Sequence, residues 1–144
     1  MKIVELKTKE ELLMGYSLLT ELYPDLSHLE YEKQLEVMLP NNYSMLAVYE
    51  ENDIIGLSGV WLGHKLWCGK YLELDNVIVA EDFRSRGVGG MLFDYAKKLA
   101  KKNACTSIGL DAFTYNHAAH KFFFKEDFIV KGYHFVHVLD ENKL

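Results

Sequence analysis

The chain has 144 residues, 49% of them apolar and 13% aromatic, which suits one domain with one sizeable core and excludes a disordered chain. A formal net charge of -5 argues against a nucleic-acid-binding face, which would be basic, and is compatible with a cationic partner. No apolar run is long enough to span a membrane, and the opening Met1-Lys2-Ile3-Val4 lacks a signal-peptide layout, so a cytoplasmic protein with no membrane partner is expected.

Residues 3–6 are short and apolar enough for a first strand. Thr8-Lys9-Glu10-Glu11 has the capping-box pattern and opens a helix through Leu12, Leu13, Tyr16, Leu19 and Leu22, which Tyr23-Pro24-Asp25 ends. Ser27-His28-Leu29-Glu30 repeats the pattern and starts a second helix to about Met38, broken by Pro40-Asn41-Asn42. Residues 43–49 and 54–62 read as a hairpin around Glu51-Asn52-Asp53, and residues 70–79 as a longer strand. After the stretch described next come a strand over 106–113 and a helix over 116–125. A last hairpin is expected to pair residues 128–131 with 134–139 across Gly132. There is no internal repeat, linker or low-complexity tract, and residues 1–144 are expected to form a single domain.

The stretch between the long strand and the next helix is the most informative. The β-branched run Val77-Ile78-Val79 reads as the end of a buried strand. Beyond Arg84-Ser85-Arg86-Gly87-Val88-Gly89-Gly90, the residues Val88, Met91, Leu92, Tyr95, Ala96 and Leu99 recur at helical spacing. The order is therefore strand, glycine-rich turn, helix. A helix opening leaves backbone N–H groups without partners at the positive end of the dipole, and glycines there let those amides approach a bulky anion. A Walker loop would close on Gly-Lys-Ser/Thr, whereas Gly89 is followed by Gly90 and Met91. A dinucleotide fingerprint would need a small residue where Leu92 stands.

The spacing Arg84-x-x-Gly87-x-Gly89, preceded by Val79 and by Asp82-Phe83, resembles the acetyl-CoA-binding motif of the GNAT superfamily of N-acetyltransferases. A second stretch, Asn116-His117-Ala118-Ala119-His120-Lys121-Phe122-Phe123, is similar to that family's Asn-x-x-Ala-x-x-Phe-Tyr helix, which lies beside the CoA arm. The ending from Phe128 through Gly132-Tyr133-His134-Phe135 looks like its terminal hairpin, so the resemblance spans nearly the whole chain. It implies an α+β GNAT fold, a mixed and mostly antiparallel central sheet of about seven strands flanked by about four helices. It also implies acetyl transfer from acetyl-CoA to a primary amine of a small molecule or peptide, by direct attack on the thioester, with no metal.

On this resemblance the pyrophosphate lies against the amides from Arg84 through Ser85, Arg86, Gly87, Val88, Gly89 and Gly90. Pantetheine runs along Val77, Ile78 and Val79, with the Val79 N–H left to polarise the thioester carbonyl by a splaying of the strand. Asn116, Ala119 and Phe122 complete the CoA-binding set. Tyr71, Glu73 and Asp75 alternate onto one strand face; Glu73 stands where histone acetyltransferases of the superfamily carry a glutamate base, with Asp75 or water as alternatives. Phe123 departs from the pattern, standing where many relatives place the tyrosine that protonates the leaving thiolate. A catalytically weak CoA-binding or sensing module is therefore the alternative reading, and a nucleotide-binding interaction domain a third.

Cys68 and Cys105 are too few for a disulfide framework and lack metal-ligand spacing; His117 and His120, one helical turn apart, have no acidic partner at such spacing either. Glu21, Asp25, Glu30, Glu32 and Glu36 crowd the first two helices, which in the superfamily border the acceptor entrance, so a cationic acceptor is expected. A homodimer is left open.

Overall fold

The computed structural model describes residues 1–143, which divide into a compact unit Met1–Leu110 and a second unit beginning at Asp111. The first unit is built on a five-stranded sheet in the order β1-β2-β3-β4-β5: β1 Lys2–Leu6, β2 Tyr43–Glu50, β3 Asp53–Lys65, β4 Gly69–Val79 and β5 Ser107–Leu110. Neighbours from β1 to β4 are antiparallel, while β5 runs parallel to β4. That change of direction requires a crossover, which α4 (Val88–Lys102) provides.

The expected first helix is two short ones, α1 Lys9–Leu13 and α2 Tyr16–Leu19. The Thr8/Glu11 capping box forms as the sequence indicates. The break falls at Gly15, whose N–H bonds the Leu12 carbonyl at 3.0 Å, a tighter turn than the α-helical one. A Cβ on Gly15 would lie 2.9 Å from Leu57 Cδ1, so the glycine lets this segment settle directly on the sheet. Helix α3, His28–Met38, is capped by Ser27, whose hydroxyl accepts the Glu30 N–H at 3.1 Å. Lys9 Nζ bridges to Glu32 and Glu36 at 3.0 and 3.2 Å, so part of the acidic charge on these helices is neutralised internally.

Leu12, Leu18, Leu19, Tyr31 and Leu35 from α1–α3 bury one sheet face with Tyr43, Met45, Ala47, Leu57 and Ile78. The amphipathic α4 contacts β1 to β5, burying Val88, Leu92, Phe93, Ala96, Leu99 and Ala100. Its residues Val88 and Leu92 approach Gly56, on the sheet face opposite Leu57.

Strand β4 carries a bulge. Leu57 pairs with Ile78, but Gly59 pairs with Asp75, so β4 holds one extra residue over that interval. Asn76 supplies it, at φ 51°, a left-handed conformation that asparagine adopts more readily than most residues. The insertion resets the period-two alternation, which is why Asp75 and Ile78 share the α1–α3 face.

In the second unit, α5 (His117–Lys125) forms as expected, capped by Asn116. The terminal hairpin over 128–131 and 134–139 does not: among the described residues after Leu110 there is no strand, and the sheet has five strands rather than about seven. Strand preference reflects packing on a half-buried surface. Ile129, Val130, Tyr133, Phe135 and Leu139 are exposed instead, so their β-favouring side chains gain no burial from pairing. The strand expected over 106–113 likewise contracts to Ser107–Leu110.

Candidate functional site

Pairing of β4 with β5 covers only Tyr71–Leu74 against Ser107–Leu110. From Asp75 onward β4 is paired with β3 alone. The direction of its main-chain groups follows from one bond: the Ala80 N–H donates to the Ile55 carbonyl at 2.9 Å. Backbone groups alternate sides along an extended strand, so Ile78 also faces β3, and Val77 and Val79 face away from it. The Val79 carbonyl on that outer edge accepts Arg84 Nε at 3.2 Å, which ties the strand end to the turn and leaves the N–H as the group Val79 presents. Val77 and Val79 thus present their main-chain groups on the outer edge of β4, while Ile78 contributes a buried side chain to the α1–α3 core. The positioning bond of Arg84 had no sequence signal beyond its charge.

The turn continues through a 3-10 turn, Glu81–Phe83, then Ser85 at φ 61° and Gly87 at φ 84°. Gly87 is the N-cap of α4, and its positive φ is the conformation in which glycine avoids a Cβ penalty. The first-turn bond from Met91 N–H to the Gly87 carbonyl measures 3.0 Å, so the amides of Val88, Gly89 and Gly90 precede the intrahelical ladder. A Cβ on Gly87 or Gly90 would meet nothing within 4 Å, so this opening has an unobstructed front. The Val88 side chain is buried and anchors the helix, leaving its backbone to face the turn. Arg86 lies with its guanidinium 5.1 Å from the Phe83 ring centre, while Ser85 is exposed.

Glu73 and Asp75 do share a face. Tyr71 lies across Gly63 there, with Lys65 Nζ 4.7 Å from its ring centre. The Glu73 carboxylate lies over Gly109 of β5, where an added Cβ would come 2.7 Å from Oε2. Asp75 Oδ2 accepts the Trp61 indole N–H at 3.4 Å, and the Trp61 ring packs 4.7 Å from that of Tyr43. Around the bulge, the Tyr23 hydroxyl donates to Asn76 Oδ1. Burial, reinforced by the Asp75 charge, raises the Tyr23 hydroxyl above its ordinary pKa. Burial likewise pushes Tyr31 and Tyr43 far up, so all three are neutral phenols at neutral pH. Tyr23, Tyr43, Trp61 and Asn76 were missed by sequence reasoning; the one available signal was a lone asparagine interrupting a β-favouring strand.

In the second unit, Asn116 Oδ1 accepts the Ala119 N–H at 3.1 Å, so both residues are engaged in the α5 cap. Phe122 and Phe123 pack 5.9 Å apart, and Phe123 lies 6.4 Å from Phe128. His117 and His120 meet edge to face at 5.8 Å, and His120 Nε2 lies 2.9 Å from the Phe113 carbonyl. His134 Nδ1 lies 2.9 Å from Asp111 Oδ2. Among the described residues no helix is long and apolar enough to cross a membrane.

The chain is 29% identical over 133 residues to an uncharacterized N-acetyltransferase, YhdJ, of Bacillus subtilis (strain 168), covering 91% of this chain and 94% of that protein. Its fold is similar to that of an aminoglycoside acetyltransferase from an uncultured soil metagenomic sample, with TM-score 0.83, 15% identity and 96% of each chain covered. It is also similar to the aminoglycoside N-acetyltransferase AAC(6')-Iy solved with CoA, with TM-score 0.80, 15% identity, and 95% and 94% of the two chains covered. Residues 9–128, which take in the Gly87-capped turn, the one-sided end of β4 and the Asn116-capped helix, match the Acetyltransferase (GNAT) family, and the chain belongs to that family.

Proposed function

We propose that the protein is a cytoplasmic enzyme that transfers the acetyl group of acetyl-CoA to a primary, cationic amine. The ammonium first gives up one proton, and the free amine nitrogen attacks the thioester carbonyl; the N–C bond forms, the C–S bond breaks, the nitrogen loses a second proton and the thiolate gains one. The observation that carries this reading is the end of β4, paired on one side and running directly into the Gly87-capped opening of α4.

Along that edge, the outward amides of Val77 and Val79 serve the pantetheine amide and the thioester oxygen. Charge develops on that oxygen during attack, and a held N–H stabilises it there. The amides of Val88, Gly89 and Gly90, with the charges of Arg84 and Arg86, take the pyrophosphate. Glu73, or water held beside it, accepts the ammonium proton. CoA itself supplies the activated acyl group and the leaving thiolate. A thiol titrates near ~8.5, so the thiolate leaves without obligatory protonation, and Phe123 in place of a tyrosine is compatible with turnover.

The test is thiol release from acetyl-CoA across polyamines, amino acids, peptides and aminoglycosides, beside a CoA titration. Turnover with at least one amine is expected. CoA binding without turnover would leave a CoA-binding module, and absence of both would refute the assignment.

A further inference from the structure

The bulge of β4 gathers polar groups that acyl transfer along the outer edge does not employ. Two of them, Tyr23 and Asp75, keep hydrogen-bonding capacity of one kind, oxygen lone pairs. The Tyr23 hydroxyl donates its only proton to Asn76 Oδ1, so what it still offers is oxygen lone pairs. Asp75 accepts the indole N–H of Trp61 on Oδ2, and Oδ1 has no hydrogen-bond partner among the described residues. The partly exposed Trp61 ring, tilted 49° against that of buried Tyr43, adds aromatic surface beside the carboxylate. A phenol oxygen, a carboxylate oxygen and ring edges and faces match a ligand that is cationic and only donates, which describes a primary ammonium with its three protons. An anionic group would meet repulsion there.

Exposure separates Tyr23 from its neighbours. Tyr31 and Tyr43 are each 5% exposed and serve the core, whereas Tyr23 is 46% exposed and presents its oxygen to an arriving molecule. Position matters as well. Asp75 and Asn76 immediately precede Val77, whose N–H faces the outer edge; at a rise of ~3.3 Å per residue, the carboxylate's strand position lies within about 7 Å of that amide. The left-handed Asn76, which holds Tyr23 through its side chain, is also the residue that turns the strand.

We propose that Tyr23 and Asp75 seat the ammonium of the acceptor amine, with Asn76 as the residue that positions Tyr23. The proposal rests on the acyl-transfer reading and identifies the acceptor end of that site as a cation seat distinct from the Glu73 carboxylate. Asp75 then acts in binding, and its loss is read in KM before kcat.

The experiment uses the full chain with n-butylamine as probe and sodium n-butyrate as anionic control. Asp75→Asn is expected to raise the amine KM about tenfold and Tyr23→Phe about threefold, each leaving the CoA Kd unchanged. Asn76→Gly keeps the backbone turn but removes the tether, so it should match Tyr23→Phe, and the double variant should be no worse than either single one. Binding is also read without turnover, as an amine-dependent change in Trp61 fluorescence of the CoA complex in a Trp67→Phe background, lost in Asp75→Asn and not produced by butyrate. Wild-type turnover with an amine KM unmoved in both Tyr23→Phe and Asp75→Asn would overturn the seat while leaving acyl transfer intact. An amine-dependent fluorescence change without thiol release would retain the seat and remove acyl transfer. Fluorescence that responds equally to butyrate would overturn the seat.

Discussion

The donor and acceptor ends of the proposed site are built from different materials. The donor end consists of backbone: the outward amides of Val77 and Val79, then the α4 opening after Gly87 at φ 84°. The acceptor end consists of side chains from four separate segments, Tyr23 after α2, Tyr43 on β2, Trp61 on β3, and Asp75 with Asn76 on β4. A backbone site is specified locally, because conformation and the lack of a Cβ decide where its amides point. A side-chain site exists only once strand register has brought distant residues together. The two ends should therefore respond differently to substitution: the donor end to bulk and conformation, the acceptor end to single functional groups.

The largest effect should come from the donor end. Gly89→Glu places a carboxylate in the first turn of α4, where it favours the helix dipole but repels a pyrophosphate. CoA affinity should fall more than tenfold, about 1.4 kcal/mol, with the circular dichroism spectrum retained. Unchanged affinity would remove the amide cradle and with it the comparison.

Next is a position where backbone and side chain meet. Gly109→Ala introduces a Cβ 2.7 Å from Glu73 Oε2, and the flexible carboxylate must swing away. If Glu73 takes the ammonium proton, kcat should fall by about tenfold with little change in Tm. A kcat equal to wild type would assign proton removal to water.

Arg84→Lys keeps the charge but loses the guanidinium N–H that holds the Val79 carbonyl at 3.2 Å. The strand end loosens, and kcat should drop by about fivefold, the equivalent of one hydrogen bond of about 1 kcal/mol. CoA Kd should change less, and a change confined to Kd would show that Arg84 acts only through charge.

The smallest effect concerns Phe123. Phe123→Tyr adds the hydroxyl that the resemblance of this helix implies, and if Phe123 lies beside the leaving thiolate kcat should rise about twofold while the acetyl-CoA KM barely moves. A lower Tm without a rate gain would mean that the ring is a packing residue, matching its contacts with Phe122 and Phe128.

The elements easiest to read in the sequence are those governed by neighbours in the chain. The Thr8/Glu11 capping box, the Ser27 cap, the helix expected over 116–125 and the apolar stripe of α4 all formed where spacing indicated. So did the glycine-rich turn, because a cap or a left-handed φ involves only a few adjacent residues. Departures arose where a distant surface had the deciding role. The helix beginning at Lys9 breaks at Gly15, where a Cβ would come 2.9 Å from Leu57 Cδ1, a contact that no helical periodicity reveals. The terminal hairpin has the right residue types, but Ile129, Tyr133 and Phe135 remain exposed, and alternation without burial does not form a strand.

Sequence alone was sufficient for the family, the strand-turn-helix order and the placement of Glu73 and Asp75 on one face, since all three rest on local spacing. Only the tertiary structure decided that β4 bulges at Asn76, that its outer edge leaves β5 after Leu74, and that Tyr23 reaches the bulge from a different segment. The physical reason is register. A one-residue insertion in one strand changes which side chains share a face, and that insertion is defined only against the partner strand across the sheet.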